Sequence, residues 1–502
     1  MPRCPVSLGI VVSGATRLRL ARRRSVSYNV PMAPDLIEMS AVFAAQRDAS
    51  RRLISTPWAV RADRLRRLRQ LLLDQRGALA AAISDDFGQR SPHETELLEI
   101  NPMIDGLNHA LRHGRSWMGA QRRPVGLKFL PGRAAVEPQP LGVCGIVVPW
   151  NYPLGLSIGP LTSALVAGNR AMVKMSELTP RLGELFARLV ADRFSEDELR
   201  VFNGDADVAR SFCALPFDHL LFTGSTAVGR EVMRAASAHL TPVTLELGGK
   251  SPAIVGPGRI SDAHFDRLVQ RLVIGKTFNA GQTCIAPDYA LVPRTRLAQF
   301  TDAARRAASG FYPGGAARDY TSIVSPRHYQ RLQALVDDAL AGGARATALT
   351  AMSSDPGRRL FAPVLLNDCA PGSRVLEEEI FGPILPVLAY DELDEALAWI
   401  NARARPLALY LFESDPAIVR RVVDGTVSGG VTVNDTLMHM GQDSLPFGGV
   451  GDSGMGSYHG KAGFDTFSHA KPVFRQRSFS MVRWLYPPFG RLAERVLRMP
   501  PR

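Results

Sequence analysis

Five cysteines stand in this chain, and one of them sits where a thiol can react. Cys284 lies in NAGQTCIAPDY (279–289), a polar loop of Gly, Gln and Thr directly after an apolar helical stretch. That setting leaves a thiol partly exposed and open to activation as a nucleophile, whereas an inert buried cysteine is the plainer alternative. Cys144, inside an apolar strand-like run, and Cys213, inside a helical one, fit that plainer role. VTLELGGKSP (243–252) ends an apolar strand on Glu246, followed by Gly248 and Gly249. A carboxylate at a strand's carboxyl end beside pliant backbone suits a general base that reaches and withdraws; a surface-paired glutamate is the competing reading. In VPWNYP (148–153), Asn151 stands between an apolar strand and a Pro-initiated helix, where its amide can donate to an oxyanion or cap the helix. Trp150 and Tyr152 beside it either line an apolar channel or pack an interdomain joint.

Two further segments suit phosphate and ribose. FTGSTAVG (222–229) joins strand to helix and offers Gly224, Ser225 and Gly229 near a helix N-terminus, where backbone N–H groups and the helix dipole favour anions. It is not GxGxxG, and a Gly/Ser helix start is also ordinary capping. VKMSE (173–177) sets Lys174 and Glu177 at the end of a preceding strand. A carboxylate there can hold a ribose diol and would repel a 2′-phosphate, although an exposed Lys and Glu flanking a turn need no such role.

These residues must be positioned by the elements around them. Between Leu141 and Leu247, short apolar runs (VCGIVV, AMVKM, LRVFN, HLLFTG, VTLELGG) alternate with helical patterns, which predicts a parallel, doubly wound sheet with ligands at the strands' carboxyl ends. From Glu38 to about Ile83, apolar residues recur at three and four with Arg between them, predicting amphipathic scaffold helices. From Gly248 to about Gly430 a second α/β domain is expected, with helices around Ser261–Phe278 and Pro326–Ala341 and strands at YALVP, ILPVLAY and LALYLF. Ser428–Tyr458 is crowded with Gly, which reads as turns and close approaches covering the interdomain cleft rather than as helix or strand.

The order of these motifs is more specific than any one of them. PWNYP, VK-x-SE, FTGST, ELGGKSP, GQTC, EEEIFGP and LPFGG follow one another at wide separations, and the chain resembles the aldehyde dehydrogenase family from about Glu38 to Lys471. CIAPDY, the DFG of residues 86–88 and the HET of 93–95 are most similar to the coniferyl aldehyde dehydrogenase group and the class 3-like fatty and aromatic aldehyde enzymes. The resemblance implies an aldehyde dehydrogenase-like α/β fold: a Rossmann-type parallel-sheet NAD(P)-binding domain (32–121 and 141–247), a second α/β catalytic domain (248–430) and a small oligomerisation arm (122–140 and 455–475).

It also implies roles. Cys284 is the nucleophile, Glu246 the base for the deacylating water and Asn151 an oxyanion ligand. Lys174 and Glu177 hold the adenosine ribose, Gly224, Ser225 and Gly229 surround the pyrophosphate, and Glu379 and Phe381 of EEEIFGP position the nicotinamide ribose, with Trp150 counted among the cofactor contacts. Trp150, Tyr152, Phe278 and Phe447 can furnish an apolar or aromatic pocket for a phenylpropenyl or medium-chain aldehyde. Glu177 favours NAD as the cofactor, whereas Met175, standing where the family usually has Pro after the Lys of VK-x-SE, and the subgroup's use of either dinucleotide keep NADP as the alternative. Acyl transfer to coenzyme A is the competing reaction, against which the base Glu246 argues; a catalytically silent NAD-binding or structural protein is the competing class, against which the intact Cys284, Glu246 and Asn151 set argues. A homodimer or homotetramer is expected.

Charge and composition narrow the rest. The net charge of +13 resides in the tails: residues 1–31 carry six Arg and no acid, and residues 471–502 carry eight Lys or Arg against Glu494. The body is therefore neutral, which excludes a nucleic-acid-binding face. The basic N-terminal segment reads as a disordered extension, with an organelle transit peptide as the alternative. The tail from 476 to 502 mixes aromatic residues with Arg and can either meet an anionic membrane surface or pack on a partner subunit. No CxxC pair exists, so neither a disulfide framework nor a zinc or other metal site is expected. No run of eighteen apolar residues occurs, and a reducing, cytoplasmic compartment fits the whole.

Overall fold

Strands Val143–Val147 and Arg170–Lys174 are buried at every position. Burial at every position suits strands covered on both faces, as in a parallel sheet between helical layers. The computed structural model describes residues 34–258, 261–315 and 318–498, so the basic segment over 1–31 lies outside the described residues. In it, a six-stranded sheet runs in the order Gly454–Met455, Val243–Leu247, His219–Gly224, Val143–Val147, Arg170–Lys174, Leu199–Phe202. All neighbours are parallel except the edge strand Gly454–Met455. Chain order reverses at Val143–Val147, whose neighbours are the next strand on one side and a later one on the other. This is the switch point at which ligands of open α/β sheets bind, beyond the carboxyl ends. Asn151, Lys174, Gly224 and Glu246 all emerge at that side.

A seven-stranded sheet forms the second layer system, in the order Arg345–Ala348, Val364–Asn367, Ile384–Tyr390, Tyr289–Pro293, Pro252–Val255, Ala408–Phe412, Gly430–Val433. The three strands expected there are present, as are helices Asp262–Thr277 and Pro326–Ala341. Cys284 lies between helix Asp262–Thr277 and strand Tyr289–Pro293. The scaffold helices are Pro34–Arg52 and Trp58–Phe87.

The glycine-rich return corrects one expectation. Ser428–Tyr458 holds two short strands rather than turns alone: Gly430–Val433 completes the second sheet, past the boundary expected at Gly430, and Gly454–Met455 edges the first, with Gly454 opposite Glu246. Gly454 has φ +136°, and a Cβ there would lie 2.0 Å from the Leu245 carbonyl oxygen. The glycine thus serves strand pairing itself, which composition reads as turn. Gln121–Arg123, Arg133–Pro140 and Ser468–Arg475 form a separate three-stranded antiparallel sheet, with Ser468 opposite Pro140 through to Arg475 opposite Arg133. It joins the two stretches read above as an arm. Phe474 on it is half exposed, and in the tail Trp484, Tyr486 and Phe489 are exposed as well. Among the described residues no helix is long and apolar enough to cross a membrane.

Candidate active site

Trp150, Asn151, Gly224, Ser225, Glu246, Cys284, Glu379 and Phe381, drawn from both sheets, line one cavity of about 240 Å3. Trp150, Asn151, Gly224, Ser225 and Glu246 reach it from strand ends of the first sheet or the loops that follow, and Cys284, Glu379 and Phe381 from loops that lead into strands of the second. The same cavity is lined by Gly248, and by Thr223, His328 and Arg331, which the sequence reading did not single out.

The nucleophile's loop is a left-handed turn. Asn279, Ala280 and Gly281 take φ of +52°, +50° and +72°, so the chain reverses sharply after helix Asp262–Thr277 and presents Cys284 to the cavity. Two of these are not glycine, and each such residue in this region costs roughly 1–2 kcal/mol, so other bonds must hold the turn. Gln282 supplies several: its amide donates to the Asn279 and Ser322 carbonyls (2.9 and 3.1 Å) and its oxygen accepts from Val324 N–H (2.9 Å). The Asn279 amide donates to the Asn151 and Gln282 carbonyls (2.9 and 3.1 Å), and the Asn151 amide donates to Gln282 O at 3.2 Å. The loop bearing the thiol and the loop bearing the amide donor are therefore one hydrogen-bonded unit.

Glu246 is 1% exposed. The Cys284 thiol and Thr223 hydroxyl lie against its carboxylate, but neither oxygen has a well-aligned hydrogen-bond partner, so these contacts only partly compensate its burial. Burial pushes the carboxyl up to about 7. The Cys284 thiol is likewise held well above its ordinary value, by burial first and then by the neighbouring Glu246 carboxylate. The polar loop alone thus leaves Cys284 a neutral thiol, not the lowered, activated one that its exposure suggests. Glu379 rests its carboxylate against Gly248 and accepts from Gly249 N–H; burial, with Asp288 adding, raises it to about 8.

Lys174, Glu177, Gly229, Tyr152, Phe278 and Phe447 do not line this cavity. Lys174 is buried and donates to the Met175 and Gly204 carbonyls, both at 2.7 Å, while Glu177 is exposed. Burial lowers the Lys174 ammonium, opposed by Glu177. Met175 N–H donates to Phe202 O at 2.9 Å, a bond that the family's usual Pro cannot make. Ser225 caps helix Thr226–Ser237, and Gly229 in its first turn packs so tightly on Leu247 that a Cβ would sit 2.8 Å from it. Trp150 stands edge-on to His328 (5.0 Å) and Phe381 (5.3 Å). Tyr152 is buried, its hydroxyl 2.7 Å from Thr283 Oγ1, and Phe447 is buried between Tyr458 (5.9 Å) and His459 (5.4 Å); neither lines the 240 Å3 cavity. Phe278 begins the turn before Cys284.

Sequence reasoning missed a buried charge network behind the cavity. Arg90 Nη1 donates to Glu99 Oε1 at 2.7 Å with both side chains fully buried, and Glu99 Oε2 accepts from Leu154 and Gly155 N–H, both at 2.8 Å. Glu99 thereby caps helix Gly155–Ala167, just after Asn151. The nearest motif, HET at 93–95, contains neither of these two residues and gave no signal for them.

Fold and site together define an α/β enzyme with a thiol-bearing cleft between two sheets that are parallel but for one antiparallel edge strand each. Residues 24–473 match the aldehyde dehydrogenase family. The chain is 48% identical over 474 residues, 94% of its length and 98% of the relative's, to a probable coniferyl aldehyde dehydrogenase of Pseudomonas aeruginosa. It is 40% identical over 449 residues to aldehyde dehydrogenase family 3 member A2 of Mus musculus, covering 88% of this chain and 90% of that one. It also superposes with a TM-score of 0.77 and 28% identity on a mutant aldehyde dehydrogenase C of Pseudomonas syringae solved with NAD+ and octanal, covering 87% of this chain and 89% of that one. The chain belongs to the aldehyde dehydrogenase family, as an NAD(P)-dependent oxidoreductase acting on the aldehyde group.

Proposed function

We propose that this protein oxidises phenylpropenyl aldehydes such as coniferaldehyde, and medium-chain aliphatic aldehydes less well, to their acids through a thioester on Cys284. The observation that carries the reading is the meeting of Cys284, Glu246 and Asn151 at one cavity, from three segments distant in sequence. The 48% identity to a probable coniferyl aldehyde dehydrogenase supports the substrate class.

Cys284 sulfur attacks the carbonyl carbon while the thiol proton leaves to water. The oxyanion so formed accepts from the Asn151 amide and the Cys284 backbone N–H, and losing one such donor typically lowers the rate roughly 10²–10³-fold. The carbonyl re-forms as a thioester. Glu246 then takes a proton from water as its oxygen attacks that carbon, the C–S bond breaks, the acid leaves and the sulfur regains a proton. The cofactor's part, when NAD is bound, is to accept the hydride that leaves the aldehyde carbon. Glu379, Phe381, Trp150, Gly224 and Ser225 would hold it in the cavity they line, and Lys174 and Glu177 would hold its adenosine ribose at the next strand end. The exposed Glu177 carboxylate favours the free diol of NAD over a 2′-phosphate. Glu246 beside the thiol favours water over coenzyme A as the acyl acceptor.

Absorbance of the reduced nicotinamide with coniferaldehyde and hexanal, each with NAD and with NADP and without coenzyme A, tests all three preferences. The highest kcat/KM is expected for coniferaldehyde with NAD; a preference for hexanal or for NADP would reverse the corresponding assignment. The arm sheet, with Phe474 half exposed, supports a homodimer or homotetramer. Light scattering of the full chain should give twice or four times 54.6 kDa, and a monomer at micromolar concentration would remove that assignment.

A further inference from the structure

Behind the cavity lies a carboxylate that the reaction above does not use. Glu94, on the short helix Pro92–Thr95, is 7% exposed. Its Oε1 accepts from the backbone N–H of Asn279 at 2.5 Å, and its Oε2 accepts from the Thr321 hydroxyl. Asn279 is the first of the three left-handed residues that aim Cys284, and its own amide bonds the Asn151 carbonyl. The groups facing Glu94 are the Arg90 guanidinium, which also pairs with Glu99, and Asp319. A buried carboxylate is expensive to keep unless it does something an apolar residue cannot. Here it accepts the N–H of a backbone turned into a left-handed conformation that Asn tolerates but does not prefer.

We propose that Glu94 is a positioning residue: acting through Asn279, it fixes the Cys284 loop against Asn151, and so sets the spacing between nucleophile and oxyanion donor. The inference rests on the roles assigned to Cys284 and Asn151 above. Glu94 is absent from the cavity lining and meets the Cys284 loop only through Asn279. Removing it leaves the binding groups in place and relaxes only the geometry of attack. A misplacement of about 1 Å lowers a rate by about 10²-fold.

The test uses the full chain with Glu94→Ala, Glu94→Gln and Thr321→Val beside the parent. Glu94→Ala is expected to lower kcat about 10²-fold while KM for NAD stays within about twofold. Glu94→Gln keeps an acceptor oxygen for Asn279 N–H and an amide that can donate to Thr321 Oγ1, so it should recover most of the loss; Thr321→Val, which leaves the Asn279 bond intact, should lose little. The alkylation rate of Cys284 by iodoacetamide, read without aldehyde or cofactor, should change in Glu94→Ala and not in Glu94→Gln. Parental kcat in Glu94→Ala overturns the proposal, as does a Glu94→Gln variant no better than Glu94→Ala. If Glu94→Ala does not fold, the decision falls to the other two: a folded Glu94→Gln or Thr321→Val with kcat as low as about 1% of the parent overturns it. Cys284→Ala run alongside separates the levels, because activity surviving there removes the thioester reading itself, whereas a dead Cys284→Ala with a fully active Glu94→Ala removes only this inference.

Discussion

Cys284→Ala is expected to bind NAD with unchanged affinity and to oxidise no aldehyde. The sulfur is a better nucleophile and a better leaving group than the Thr223 and Ser225 hydroxyls that line the same cavity, and hydride leaves from the tetrahedral centre that its attack forms. Deleting a covalent nucleophile lowers turnover by roughly 10⁵–10⁶-fold, far more than loss of a binding contact. The change removes one atom from a partly exposed side chain, so its effect on stability should be small. NAD affinity, measured by fluorescence titration, should not move, because Glu379, Ser225 and Lys174 are untouched. Retention of even 10% of parental NADH formation, roughly a 1.4 kcal/mol change in barrier, would take the chemistry away from Cys284.

The parts legible in the sequence share a cause. Strands such as Val143–Val147 and helices such as Pro326–Ala341 carry their periodicity in local composition, and Cys284, Glu246 and Asn151 each stand in short motifs at element ends. What stayed hidden depends on contacts between distant segments. Glu94 and Asn279 are 185 residues apart, Arg90 and Asn151 are 61 apart, and nothing in HET tells a buried carboxylate from a solvated one. His328 and Arg331 lie on a helix whose pattern reports only its buried face, so their arrival beside Trp150 and Glu379 is invisible until the second sheet is folded against the first. The glycines of Ser428–Tyr458 misled for the same reason: Gly454 is there because a strand 200 residues earlier comes too close for a Cβ.

Glu246→Gln separates the two halves of the reaction. With the carboxylate gone, water attacks the thioester unaided, and a positioned base contributes about 10²–10⁴-fold. Rapid mixing with aldehyde and NAD should therefore give a burst of about one NADH per Cys284, followed by a steady state slower by that factor. The pH dependence carries the sign. Glu246 titrates at about 7, above its ordinary 4.5, so the base form is lost as pH falls through 7 and deacylation in the parent should rise between about pH 6 and 8 and then level. Glutamine has no such group, and the rise should vanish from the steady state. The burst responds in the opposite way. The Glu246 carboxylate is one of the causes holding the Cys284 thiol up, so its removal lets the thiol ionise at lower pH, and the burst rate near neutrality should equal or exceed the parent's. A burst that slowed as far as the steady state would instead make Glu246 the base that ionises Cys284, and water would then need another base at the same cavity.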